Sequence, residues 1–155
     1  MFDTLADAWY VWIGLTAVAA VAFGVGAGLP TEPPPDAAAA VATVDGVVGH
    51  SPPARGTHDT VATAVRADAD HLRLRNGVAT TTARLAFGPV LAVGDGPLRR
   101  VALGDPLRAV FDTRAGFRDA VRTARETGSR WRRGSRLVVR HVAWGGDGVA
   151  LLAVR

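Results

Sequence analysis

TVATAVRADADHLRLRNGVATTTARLAFG, residues 60–88, alternates apolar and polar side chains on either side of an Asn76-Gly77 pair. Period-two alternation marks a strand with one buried face. Asn-Gly is the preferred pair for a tight type I′ hairpin turn, because both central positions need positive φ. Such a turn pairs Arg75 with Val78 and Leu74 with Ala79. That register places Leu72, Leu74, Ala79, Ala83, Leu85 and Phe87 on one face, with Arg73, Arg75, Thr80, Thr82 and Arg84 on the other. A slip by a single residue would invert both faces, so the turn and the pattern support each other. Val61 to Arg66 predicts a neighbouring strand.

Toward the C-terminus, Pro89 to Val93 and Leu98 to Leu103 read as a second hairpin across Gly94-Asp95-Gly96. Asp105-Pro106 is a helix-start pair, with proline in the first turn, and predicts a short helix from Leu107 to Phe111. Asp112 or Thr113 then caps a longer helix that runs to about Thr127, closed by Gly128. Phe117, Ala120, Val121 and Ala124 fall on one arc of that helix and form its buried stripe. RLVVRHVAW (136–144), a glycine loop at 145–148 and VALLAVR (149–155) predict a closing hairpin. On the N-terminal side, Asp36 caps a helix of about three turns through AAAAVATVDGVV (37–48), and His50 to Thr60 reads as loop from its Pro, Gly and Ser content. The class is α+β: an antiparallel sheet of hairpins with a covering helix, occupying 37–155. A domain of roughly 100 residues supports one core rather than two independent ones. That core is predicted to include Leu74, Leu85, Phe87, Phe117 and Val121.

Ahead of the domain lies AWYVWIGLTAVAAVAFGVGAGL, residues 8–29, which is 22 residues without a charge. At about 1.5 Å per residue it spans ~33 Å, enough for a hydrocarbon core of ~30 Å. Trp9, Tyr10 and Trp12 sit in its first turn, where amphipathic rings favour the headgroup level. Residues 1–7 carry two Asp and no Arg, unlike the basic start of a cleaved signal, and the apolar run exceeds the 7–15 residues or so of a signal core. The expectation is a short polar tail (1–7), a single transmembrane helix (8–29), a stiff Pro-rich spacer (30–36) and the displayed domain. Basic residues near the membrane set orientation, and the first Arg is Arg55, so neither flank decides it. The expected topology puts the domain outside the cell membrane.

Composition removes whole classes of chemistry. The chain has 155 residues and no cysteine, so disulfides, thiolate metal sites and cysteine nucleophiles are excluded. All 18 basic residues are Arg, and Asp outnumbers Glu 12 to 2, the bias of a GC-rich coding sequence. His50, His58, His71 and His141 lack metal-ligand spacing, with a weak clamp at His50, His58 and Asp59 as the alternative. His141 reads as a hydrogen-bonded core or edge residue. Ser51, Ser129 and Ser135 lie outside any nucleophile elbow, and the glycine-rich loops join strand to strand instead of opening a helix as a phosphate cradle does. No catalytic residue, metal ligand or cofactor is assigned, and the chain is not read as an enzyme.

The strongest surface signal is basic. Residues 114–140 hold 9 Arg against Asp119 and Glu126. Arg114, Arg118, Arg122 and Arg125 share one helix flank beside the apolar stripe, and Trp131, Arg132 and Arg133 follow. Such a strip suits an anionic partner surface or lipid headgroups, with Trp131 as a stacking platform. The plain alternative is a solvated face whose Arg stems cover apolar surface and whose heads pair with local acids.

WYVW at 9–12, LPTEPPPDAAA at 29–39, FGPV at 87–90 and RHVAWGG at 140–146 resemble a haloarchaeal family of small, N-terminally anchored proteins of unknown function. The resemblance covers most of the chain and is firmest at the anchor and spacer. It implies association with pilus-like or type II secretion-like gene clusters, a structural or protein-interaction role in a cell-envelope assembly, and no catalytic residue. The implied partners are membrane lipids and an unidentified envelope or secretion-system protein. The basic domain departs from the acidic character usual in that setting, and at molar salt a Debye length of about 3 Å argues against nucleic acid as a partner. A pilin-like subunit is the alternative within surface assembly, though Pro30 and Pro33 to Pro35 would interrupt its continuous helix.

Overall fold

VALLAV, residues 149–154, is buried at every position, on both faces of the strand it forms. A strand covered on both sides reads as a continuous apolar run instead of an alternation, and this one has a neighbouring strand on each edge. The computed structural model describes Ile13, Leu15, Thr16, Val18 and residues 32–155. The first four are helical and exposed and belong to a unit spanning 1–32; the second unit spans 33–155. Among the described residues no helix is long and apolar enough to cross a membrane. Apart from those four positions, the predicted span 8–29, with Trp9, Tyr10 and Trp12, lies outside the described residues.

The second unit contains helices α1 (Ala37–Val48), α2 (Pro97–Leu103), α3 (Leu107–Val110) and α4 (Arg114–Thr127). Its strands are β1 (Ala54–Asp59), β2 (Ala64–Ala67), β3 (His71–Arg75), β4 (Thr80–Arg84), β5 (Val90–Ala92), β6 (Arg132–Arg133), β7 (Arg136–Trp144) and β8 (Asp147–Val154). One sheet has the order β1-β7-β8-β5 and the other β4-β3-β2-β6. The α+β class stands. The first sheet is mixed, however, because β5 runs parallel to β8.

The two faces of the first sheet carry separate apolar clusters. On one, Leu137, Val139, Leu152 and Val154 pack with α1 and with Leu72, Leu74 and Leu85 around the second sheet. On the other, Val138, Leu151 and Ala153 pack with Val101 of α2, Phe111, and Phe117 and Val121 of α4. The expectation of one core under one covering helix is therefore corrected. Leu74 and Leu85 lie in one cluster and Phe117 and Val121 in the other, divided by β8.

The hairpin at Asn76 keeps its predicted faces and changes its turn. Arg75 pairs with Thr80 and Leu74 with Thr81, a register offset by two residues, which preserves face parity. Among the described residues none other than glycine has positive φ, and Gly77 does not have it either, so the type I′ turn is replaced. The Asn76 carboxamide oxygen accepts from the amides of Val78 (3.1 Å) and Ala79 (3.0 Å), an Asx turn that needs no left-handed backbone. Positive φ at two successive positions occurs instead at Gly145 (59°) and Gly146 (92°), which close β7 onto β8.

Other departures have identifiable causes. Phe87 is 52% exposed and outside both clusters. Strand β4 ends at Arg84, and the Asp45 carboxylate takes the amides of Ala86 and Phe87, so the alternation stops before Phe87. Residues 98–103 form helix rather than strand, because Pro97 occupies the first turn and Leu98, Val101 and Ala102 fall at helical spacing on the buried side. The short helix after Pro106 forms without a side-chain cap from Asp105. Residues 54–59, read as loop, are β1 on the edge of the first sheet. Gly56 there lies under α1, where a Cβ would come 2.6 Å from the Val47 methyl. Asp36 and Thr113 cap their helices as predicted, at 2.9 Å to Ala39 N and 3.1 Å to Gly116 N. The end of the Pro-rich spacer is part of the fold: Pro35 is buried, Asn76 donates to the Pro33 carbonyl (2.8 Å) and Thr81 to that of Pro35 (2.8 Å).

Truncating Phe117 to Ala should lower unfolding free energy by about 3–5 kcal/mol, the usual cost of emptying a buried aromatic site. Phe87→Ala should shift it by less than about 1 kcal/mol. Urea unfolding of the purified chain and both variants measures the difference, and equal losses would contradict the placement of the two rings.

Candidate functional site

Helix α4 presents two flanks beside its buried Phe117 and Val121, and they differ in charge and in shape. On one flank Arg118, Arg122 and Arg125 line a groove of ≈ 610 Å³ against the β7–β8 turn at Gly146, Asp147 and Gly148. On the other, Ala120, Thr123, Ala124 and Thr127 line a smaller cleft of ≈ 320 Å³ with the 93–95 loop and Arg132. The predicted basic surface is thus split by the helix.

The arginines of the first flank are mostly engaged. Asp147, the first residue of β8, receives Arg114 (Nη2–Oδ2 2.8 Å) and the Nε of Arg118 on the same oxygen. Arg122 pairs with Asp119 at 2.8 Å and lies 3.9 Å from Glu126. Arg125 is exposed and has no ion pair with a described residue. These pairs are solvent-exposed, where ion pairs contribute little to stability. Their effect is to fix guanidinium directions and to hold the β7–β8 turn beside the helix.

Trp131 is half-buried, and the Arg75 guanidinium lies 4.4 Å from its ring centre, so one indole face is already occupied. Arg132 and Arg133 form the short edge strand β6 against β2; Arg133 is exposed. The Arg132 side chain turns inward, its Nε shielded from solvent and without a hydrogen-bond partner among the described residues. Burial lowers its pKa; Asp95 raises it, while Arg99 and Arg130 add to the lowering.

The histidines do not converge. Thr43 lies 3.3 Å from His58 Nδ1, His71 contacts Asp70 at 2.7 Å, and His141 Nδ1 lies 3.0 Å from the His50 carbonyl. Asp59, the third member of the suggested clamp, is bound to Arg136 across β1 and β7. Among the described residues no group of acids and histidines is placed to hold a metal ion.

Sequence reasoning missed Asp147 as the acid that gathers two arginines. It reads as one more short acid in a glycine turn, and only the packing of α4 against that turn reveals its partners. It also missed the Gly94 contact that makes room for Arg132.

The sequence profile of a family of unknown function, DUF7283, matches residues 3–142. The chain belongs to this family. DUF7283 membership extends over the residues at both ends of the apolar run, α1, both α4 flanks and most of β7. No curated protein and no solved structure matches the chain.

The Arg118 hydrogen bond, followed by that of Arg114, holds the Asp147 carboxyl below its ordinary value of 3.8. A lowered folded-state pKa means that the clamp contributes fully above about pH 4 and is lost as pH falls through the depressed value. In a carboxyl-carbon NMR titration Asp147 should have its midpoint below 3.8, and Arg118→Gln should raise it. A midpoint that does not move in the variant would show that the contact does not govern this acid.

Proposed function

We propose that the chain is a single-pass membrane protein that displays its α+β domain for protein contacts in a cell-envelope assembly. The uncharged run 8–29, followed by Pro30, carries this reading: its length suits a bilayer. The resemblance of WYVW, LPTEPPPDAAA, FGPV and RHVAWGG to haloarchaeal anchored proteins supports the envelope setting and the link to pilus-like or secretion-like machinery. The partner-facing element is the basic flank of α4, where Arg125 has no ion pair with a described residue and Arg118 and Arg122 keep exposed heads beside an open groove. Membrane lipids and an acidic envelope protein are the partners this assigns. A pilin-like subunit is the second reading, favoured by an apolar N-terminal segment ahead of an antiparallel sheet.

Membrane fractionation and crosslinking of the native chain test it together. The full-length chain should resist carbonate extraction, and a chain lacking 8–29 should not. Arg118→Gln with Arg122→Gln should fold as the parent does, yet associate more slowly at low salt with its crosslinked partner. A soluble processed chain beginning after residue 20 would overturn the anchor. Unchanged crosslinks and association kinetics in the double variant would overturn the basic flank as a contact surface.

A further inference from the structure

Arg132 differs from the other inward-reaching arginines of the second unit. Arg140 donates to the carbonyls of Val101 (2.6 Å) and Asp105 (2.8 Å), and Arg99 to that of Val154 (3.0 Å). Arg132 donates to no described residue, although its Nε is shut off from solvent. A guanidinium nitrogen shut off from solvent without a hydrogen-bond acceptor is costly, and positive neighbours raise that cost. The backbone accommodates it at one point: a Cβ on Gly94 would lie 2.8 Å from both terminal nitrogens, so the bare glycine gives the guanidinium its seat. Beside it opens the cleft of ≈ 320 Å³ walled by Val93, Leu98, Ala120 and Ala124. The Thr123 hydroxyl, also on its wall, makes no hydrogen bond to a described residue.

We propose that this cleft binds a carboxylate carried on a short apolar group, with Arg132 as the counter-charge and Thr123 as a second donor. The proposal does not depend on the protein-contact reading. Guanidinium and carboxylate match in planar, charge-assisted geometry, and the terminal nitrogens of Arg132, which donate to no described residue, are the ones such a group would meet. The wall is mainly apolar, and a cavity of about 150 Å³ already holds a benzene ring, so the volume fits a small aromatic or branched aliphatic acid. Asp95 lies near enough to act on Arg132, and the C-terminal end of α4 at Gly128 adds negative partial charge. Both weigh more heavily against a dianion such as phosphate than against a single carboxylate. Two sources share this chemistry, a free organic acid and the C-terminus of a polypeptide.

The test uses the full-length chain in lipid nanodiscs, with empty nanodiscs as the blank, following the Arg132 Nε–H signal by NMR during titration. Benzoate should produce a saturable shift, whereas benzyl alcohol should not. Arg132→Gln, followed by calorimetry, should weaken benzoate at least about tenfold, and Arg133→Gln should leave it within about twofold. Ala124→Leu fills the cleft without touching the guanidinium and should abolish binding, which decides the matter even if the Arg132 variant fails to fold. An Ala-Leu-Leu peptide with a free carboxylate, compared with its amide, separates the sources: tighter binding than benzoate assigns a polypeptide C-terminus, and weaker binding a free acid. No saturable benzoate shift would overturn the proposal. So would equal binding of benzyl alcohol or inorganic phosphate, or benzoate affinity unchanged in the variants that fold.

Discussion

Burial of β8 on both faces is the constraint from which the rest of the domain follows. A strand with no polar face needs an apolar layer above and below, and the chain supplies two of different construction. Small residues on α1 allow it to approach β1 closely enough that Gly56 is required beneath Val47, and the second sheet completes that layer. On the opposite side the layer is helical, with Val101, Phe117 and Val121 as its buried anchors. Seating Phe117 and Val121 against this face sets the rotation of α4. That rotation puts Arg118, Arg122 and Arg125 on one flank and the Arg132 cleft on the other.

Local signals were the legible part of the sequence. Asp36 and Thr113 cap helices because a short side-chain oxygen can reach an amide three residues on, a relation contained within one turn. The faces of β3 and β4 were legible as well, since parity survives a register offset of two. Part of what failed depended on partners distant in sequence. Asn76 used its side chain to build a turn that needs no positive φ, while also donating to Pro33. Phe87 left the core because Asp45, on α1, took the amides around it. Val149 to Val154 offered the plainest warning of two layers, a strand-length run with no alternation.

The basic character of the domain resolves into parts with different physical roles. Arg114 and Arg118 gather on Asp147, Arg136 pairs with Asp59 and Arg75 covers Trp131, so much of the positive charge holds turns and edges in place. A count of arginines along 114–140 could not separate these from Arg125, exposed, or from Arg132, turned inward, neither of which has an ion pair with a described residue. The distinction rests on which acids the fold carries to each guanidinium, and for Arg114, Arg118 and Arg136 those acids come from other elements. Membership of DUF7283, matched over 3–142, includes the residues of both flanks but attaches no activity to them.

Native-state hydrogen exchange tests the central claim that β8 organises the domain. If the strand is held from both sides, the amides of Leu151, Leu152 and Ala153 should exchange only through global unfolding, at rates set by the full unfolding free energy. Amides of the outer strand β4 should open at lower free energy. Exchange from β8 as fast as from β4 would contradict the account and place the organising layer elsewhere.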